Sequence, residues 1–281
     1  MNKINYVTNS EICEIVKKNL CKVPRDIDGV VAVPQYGMLS ASIISNFLEK
    51  PLYTVESLAE GNPFCGIKKS SGNKYLIVFD FVDKANVVKK AKTSIKNNAK
   101  VDDLYSVCVG CGNNVNGVDL AFETYNGITL YEPTFFSSSW VEQCIFGIEG
   151  VLCERPANEV SERNEELYLN YITNATPCLL PKSKVLALCT NRLLLYAQQT
   201  EKWLNENNVK YGTLWMLDFE SVDSKFMKRN SSEYLNMKTV VYEKYKDALL
   251  FVESDWEESL RLFNNTGKPV LCMDRNVLLQ K

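Results

Sequence analysis

The run Ile145-Phe146-Gly147-Ile148-Glu149-Gly150-Val151-Leu152-Cys153 is where the fold of this chain can be read. Its apolar lead into Gly147 has the character of a strand buried on both faces of a parallel sheet, where residues do not alternate between apolar and polar. Gly147 and Gly150 then break the strand into a turn that carries one acid, Glu149.

Downstream, Glu154 to Glu166 is polar, with Pro156, Asn158, Asn164 and five glutamates, and reads as a solvated loop or a substrate cap. Leu167 to Tyr171 begins a short helix. Val185-Leu186-Ala187-Leu188-Cys189-Thr190-Asn191-Arg192 is a second buried strand, ending at a hydroxyl residue, Thr190. The helix expected from Leu193 to Asn205 carries Tyr196, Thr200, Glu201, Trp203 and Leu204, and Tyr211-Gly212-Thr213-Leu214-Trp215-Met216-Leu217 follows it. Lys238 lies in Asn236-Met237-Lys238-Thr239-Val240-Val241-Tyr242. Leu249-Leu250-Phe251-Val252-Glu253-Ser254-Asp255 is an apolar strand ending in acids, and Lys268-Pro269-Val270-Leu271-Cys272 is expected to close the sheet.

In order and spacing these segments resemble a haloacid dehalogenase-like (HAD) phosphatase domain. That family opens on an apolar run followed by Asp-x-Asp-Gly-x-Leu, whose first Asp attacks phosphorus and whose second shuttles the proton. Gly147 and Glu149 stand in those two places. The resemblance implies that Thr190, with Asn191 beside it, meets the phosphoryl group and that Lys238 balances charge. It also implies that Glu149, Glu253 and Asp255 hold Mg²⁺. Glycine offers no atom to form an aspartyl-phosphate, and loss of a covalent nucleophile costs on the order of a millionfold in turnover. Lengthening the neighbouring acid to Glu moves a carboxylate by about 1 Å, itself about a hundredfold effect.

Upstream, Asn9 or Ser10 is expected to cap a helix through Ile12, Ile15, Val16 and Leu20, stopped by Pro24. Gly29-Val30-Val31-Ala32-Val33-Pro34 is a strand, Gln35-Tyr36-Gly37 a turn, and Met38 to Leu48 a helix with Met38, Ala41, Ile44 and Leu48 inward. Strand, glycine loop and helix N-terminus together offer backbone N–H groups to an anion, and the same unit serves as an ordinary βα turn in any doubly wound sheet. The segment Glu56 to Gly72 is dense in turn formers and reads as a loop or hood. Asp103 to Gly110 is a further strand. Val118 to Phe122 and Ile128 to Tyr131 read as paired short strands leading to Pro133.

The first of these units, with Lys50-Pro51-Leu52 after it, resembles the pyrophosphate loop of a type I phosphoribosyltransferase, usually VxVPRSGxxxA. Gln35-Tyr36 replaces the family's Arg-Ser, and charge-assisted bonds roughly twice as strong as neutral ones are given up. Lys74-Tyr75-Leu76-Ile77-Val78-Phe79-Asp80-Phe81-Val82-Asp83-Lys84-Ala85-Asn86-Val87 resembles the second unit, a strand, an acidic pair for the ribose and a Thr-Gly-x-Thr phosphate cradle. Asp80 takes the second acidic place, Phe79 the first, and Lys84 to Val87 the cradle. The resemblance implies phosphate and ribose contacts at Gly37, Asp80, Asp83 and Lys84.

Composition sets outer bounds. The 281 residues suit two domains, and 46% apolar with 11% aromatic residues suffices for two cores. Thirty-two basic against 34 acidic residues give a formal charge of -2, which draws the chain to neither nucleic acid nor anionic membrane. Gly29 to Leu48 is charge-free and long enough to span a bilayer, but Pro34, Gln35, Gly37, Asn46 and three serines make it strand, loop and helix instead. Histidine is absent, so acid or base work falls to carboxylates and lysines. No secretory signal opens the sequence, and the ten cysteines are expected to be reduced thiols of a cytoplasmic protein. Cys108-Val109-Gly110-Cys111 lacks partners for zinc and is read as structural.

Both domains are therefore expected to be α/β, doubly wound and mainly parallel. Residues 1 to 141 would be phosphoribosyltransferase-like and residues 142 to 281 HAD-like, a pairing that resembles one bacterial group of fused proteins. The expected function is that of a catalytically degenerate pseudoenzyme, a ligand-binding or partner subunit. Its partners would be a phosphorylated small molecule, an intact homologue or a second copy. The enzymatic alternative is a phosphoribosyltransferase using phosphoribosyl diphosphate, in a setting such as polysaccharide assembly.

Overall fold

The computed structural model describes residues 3–34, 37–65, 72–82, 85–112, 117–157, 164–218 and 232–281. The chain forms two compact units, Met1–Glu132 and Pro133–Lys281. Both are α/β with mainly parallel sheets.

The first unit contains β1 (Ile4–Val7), α1 (Asn9–Asn19), β2 (Gly29–Ala32), α2 (Met38–Leu48), β3 (Leu52–Thr54) and α3 (Val55–Ala59). It continues with β4 (Lys74–Val82), α4 (Ala85–Asn98), β5 (Asp103–Gly112), β6 (Leu120–Tyr125) and β7 (Ile128–Tyr131). Five parallel strands run in the order β3-β2-β4-β5-β6. Their residues alternate between two cores: Val30, Ala32, Leu76, Val78 and Val107 pack with Ile12, Val16, Ala41 and Ile44. Val31, Ile77, Phe79 and Cys108 pack with Leu58, Val88 and Ile95. Burial on both faces is what the unbroken apolar runs encode.

Several expectations need correction. The cap of α1 is Thr8, because Thr8 and Glu11 satisfy each other's backbone N–H groups, at 3.1 and 2.7 Å. The helix ends at Asn19, and a 3-10 turn (Leu20–Lys22) precedes Pro24. The stretch read as loop from Glu56 begins inside α3, which Thr54 and Ser57 cap reciprocally. β6 and β7 do not pair with each other: β6 extends the main sheet beside β5, while β7 pairs in parallel with β1. Asn126-Gly127 has the composition of a hairpin turn. Here Gly127, at φ +91°, instead lets Lys3 approach so closely that a β-carbon would lie 2.3 Å from its carbonyl oxygen.

The second unit contains β8 (Cys144–Phe146), α5 (Glu165–Asn174), β9 (Val185–Leu193), α6 (Ala197–Glu206) and β10 (Tyr211–Leu217). After these come α7 (Ser232–Lys244), β11 (Leu250–Glu253), α8 (Trp256–Thr266), β12 (Val270–Cys272) and β13 (Val277–Leu279). The strand order is β10-β9-β8-β11-β12-β13, parallel except at β13. The Lys268–Cys272 segment therefore does not close the sheet; β13 returns antiparallel along its edge. Nor does β9 stop at Thr190, since it continues to Leu193, and a 3-10 turn (Leu194–Tyr196) delays α6 to Ala197. The helix expected from Leu167 starts earlier, at Glu165, with Asn164 as its cap. Ile145, Ala187, Phe251 and Val270 carry the core against Val241 and Tyr242 of α7 and Leu262 of α8.

All ten cysteines are free thiols, and Cys108 and Cys111 are buried on β5. Gly29 to Leu48 divides into β2 and α2, and no helix among the described residues is long and apolar enough to cross a membrane. In each unit the strand order reverses once. The reversal lies between β2 and β4 in the first unit and between β8 and β11 in the second, and a doubly wound sheet opens its crevice at the C-terminal side of such a point.

Candidate functional site

At the end of β8, Gly147 is tied into the sheet by its N–H donating to the Val252 carbonyl at 2.8 Å. A β-carbon there would lie 3.3 Å from Glu253 Oε2 and 3.5 Å from the Val252 oxygen. Its backbone is not left-handed, unlike that of Gly150, whose φ is +72° and whose added β-carbon would lie 2.6 Å from Ser254 Oγ. Gly150 is required by geometry. Gly147 leaves the strand end without a nucleophile for no conformational reason.

Two residues on, Glu149 is fully engaged. Its Oε1 accepts Arg192 Nε at 2.6 Å, and its Oε2 accepts the Thr190 hydroxyl at 2.9 Å. Arg192 is 1% exposed, and its remaining donors reach Thr200 Oγ1 at 3.3 Å and Cys153 Sγ at 3.7 Å. Burial alone would raise the Glu149 carboxyl, but the Arg192 guanidinium more than offsets it and holds the group below its ordinary range. An anion so held has no proton to give. Thr190, whose hydroxyl proton goes to Glu149, also accepts the Arg192 N–H at 3.2 Å. Arg192 is the site residue that the sequence reading passed over, although it closes the strand quoted for Thr190.

The second array lies on the other side of the switch point. Lys238 Nζ donates to Glu253 Oε2 at 2.7 Å and to Glu258 Oε2 at 2.5 Å. Glu253 Oε1 accepts the Ser254 N–H at 2.8 Å, and Ser254 Oγ reaches both Glu253 and the Glu149 carbonyl, linking the arrays. Burial works against the Lys238 charge, yet the two carboxylates outweigh it and raise its pKa. Burial raises the Glu253 carboxyl, with Lys238 opposing. Glu258 was also missed in sequence; at the third position of α8 it resembles the partner in a capping box, but it faces Lys238.

Asp255 does not join these groups. Its Oδ1 accepts the Glu258 N–H at 2.9 Å as the cap of α8. Asn191 reaches Glu258 Oε1 only at 3.5 Å. Mg²⁺ needs oxygen ligands at about 2.0–2.1 Å in near-octahedral array. Of the three expected ligands, Glu149 is bound by Arg192, Glu253 by Lys238, and Asp255 caps a helix. Among the described residues, no three acidic, cysteine or histidine groups gather as a metal site. The donor set as it stands does not fit a divalent ion.

In the first unit, Gly37 is held to glycine by a close approach: a β-carbon would lie 2.0 Å from the Val78 carbonyl oxygen. Asp80 Oδ1 accepts the Ser40 N–H at 2.9 Å, and the Leu39 N–H also favours its charge. The carboxylate thus fills the anion-attracting N-terminus of α2 from within. Burial still raises its pKa above the ordinary range, against those donors. Phe79, in the place of the first ribose acid, is wholly buried in the core shared with α4. Asp83 and Lys84, like Gln35 and Tyr36, lie outside the described residues.

No protein-family model matches this chain, and no curated protein matches it. Among solved structures it is similar to Helicobacter pylori xanthine-guanine-hypoxanthine phosphoribosyltransferase, at 12% identity over 47% of this chain and 92% of that one, with a TM-score of 0.38. It is also similar to a purine phosphoribosyltransferase from Pyrococcus horikoshii Ot3, at 15% identity over 46% and 92%, TM-score 0.36. A third is a hypothetical protein from Neisseria gonorrhoeae with bound ppGpp, at 18% identity over 47% and 89%, TM-score 0.36.

Proposed function

We propose that this chain is a catalytically degenerate phosphoribosyltransferase/HAD-like protein that acts as a ligand-binding or partner subunit, without phosphatase turnover. The observation that carries the reading is the state of the β8–β11 switch point. Gly147 supplies no nucleophile there, and the residues that would serve a phosphate, Glu149, Thr190, Lys238 and Glu253, are bonded within their own arrays. Their formal charges, with Arg192 and Glu258, sum to -1, so among the described residues these two arrays hold no surplus cation for a phosphate dianion. The Asp80 carboxylate at α2 supports a similar reading for the first unit, because an entering anion would have to displace it.

The test is hydrolysis of a phosphate monoester by the purified chain, beside calorimetry with phosphoribosyl diphosphate and Mg²⁺. The reading expects no turnover, and retention of an intact homologue or a second copy on co-purification. Brisk hydrolysis contradicts it. Binding of phosphoribosyl diphosphate followed by transfer to an acceptor would replace it with the transferase alternative.

A further inference from the structure

We propose that Lys238 is the resident cation of the β8–β11 crevice, its ammonium filling the place between Glu253 and Glu258 that a divalent metal ion would take, so that the crevice binds no magnesium. This inference concerns which cation balances the crevice, and it stands whether or not the chain turns over a phosphate ester.

The argument rests on donors and space. Glu253 ends β11 at 2% exposure, and Glu258 comes from the first turn of α8, so two carboxylates from different elements converge on one point. A buried carboxylate, Glu253, and a partly buried one, Glu258, brought to one point need a cation between them. Lys238 reaches in from α7 and meets both, at 2.7 and 2.5 Å. Glu253 is further anchored by the Ser254 N–H at 2.8 Å, and Glu258 has the Asn191 amide beside its other oxygen. A metal ion entering here would have to push out an ammonium that is almost wholly buried, leaving that charge without its two carboxylates. Breaking such a pair is strongly unfavourable.

It follows that removing the ammonium converts the point into a cation site. Mn²⁺, whose binding is read by electron paramagnetic resonance, serves as the probe, and thermal unfolding in millimolar Mg²⁺ against a chelator gives a second readout. The native chain is expected to immobilise no Mn²⁺ and to melt at the same temperature in both conditions. Lys238→Met is expected to bind Mn²⁺ at least about tenfold more tightly than the native chain, a gain of about 1.4 kcal/mol. It should also melt higher in Mg²⁺, and Glu253→Gln added to it should abolish both effects. A stoichiometric Mn²⁺ site in the native chain that disappears in Glu253→Gln overturns the proposal, as does a folded Lys238→Met indifferent to metal. Should Lys238→Met fail to fold, the native titration decides by itself: silence upholds the proposal, and a site sensitive to Glu253→Gln sinks it.

Discussion

Arg192 determines what Glu149 can do. A guanidinium at 1% exposure persists only if its charge is matched, and the Glu149 carboxylate at 2.6 Å matches it. Replacing Arg192 by Met leaves that largely buried carboxylate without its counter-charge, held only by the Thr190 hydroxyl, and is expected to cost about 3 kcal/mol in denaturant unfolding. The pH dependence has a definite sign. Since the folded Glu149 carboxyl lies below its ordinary value of 4.5, the pair stabilises the fold above that pH and the contribution fades as pH falls below it. Glu253, raised by burial, works in the opposite direction. Glu149→Gln should therefore flatten the acid limb of the melting temperature against pH; an unchanged limb would show that the pair carries none of the acid sensitivity. At Gly147, Asp would bring its carboxylate toward Glu253 while Glu149 stayed bound to Arg192. Gly147→Asp is accordingly expected not to restore hydrolysis.

Elements in this chain are held by contacts far apart in sequence. β1 exists because β7 returns beside it, with Asn5 Nδ2 donating to the Asn126 carbonyl at 2.7 Å. Gly127→Ala meets both a left-handed φ and the Lys3 carbonyl at 2.3 Å, and is expected to destabilise by about 1–3 kcal/mol. Amide hydrogen exchange at Asn5 and Tyr6 should rise first, and uniform exchange across the unit would refute that picture. At the start of α1, Thr8→Ala removes half of a reciprocal cap and should cost about 1 kcal/mol. Where several buried strands carry their own signal, as at Val30 to Ala32 and Leu250 to Val252, the sequence was legible because both faces demand apolar residues. β1 was not legible, since four residues with two polar members carry little period and its partner lies over a hundred positions on. The expected pairing of Val118 to Phe122 with Ile128 to Tyr131 failed for a related reason: local pattern was overridden by a distant partner, β1.

For the whole molecule, the same division holds between what local pattern encodes and what tertiary pairing decides. The two α/β units and their parallel sheets follow from strand runs spaced by helical segments. The strand ends follow from those runs as well, whereas Gly147, Glu149, Thr190, Glu253 and Lys238 of α7 were named as candidates through the resemblance to a HAD-like domain. What could not be read was how their charges would be matched. Arg192 and Glu258 look like surface residues in sequence, and only the reversal of strand order between β8 and β11 brings them to the same crevice. In the first unit the same logic sends Asp80 to the N-terminus of α2.

On the function we propose, the charged groups of this crevice are matched among themselves and perform no phosphoryl chemistry. The most direct measurement is the steady-state rate of phosphate-monoester hydrolysis by the purified native chain, with Glu149→Gln alongside. The account predicts that the two are indistinguishable from the buffer blank, and a native rate above the blank that Glu149→Gln removes would contradict it.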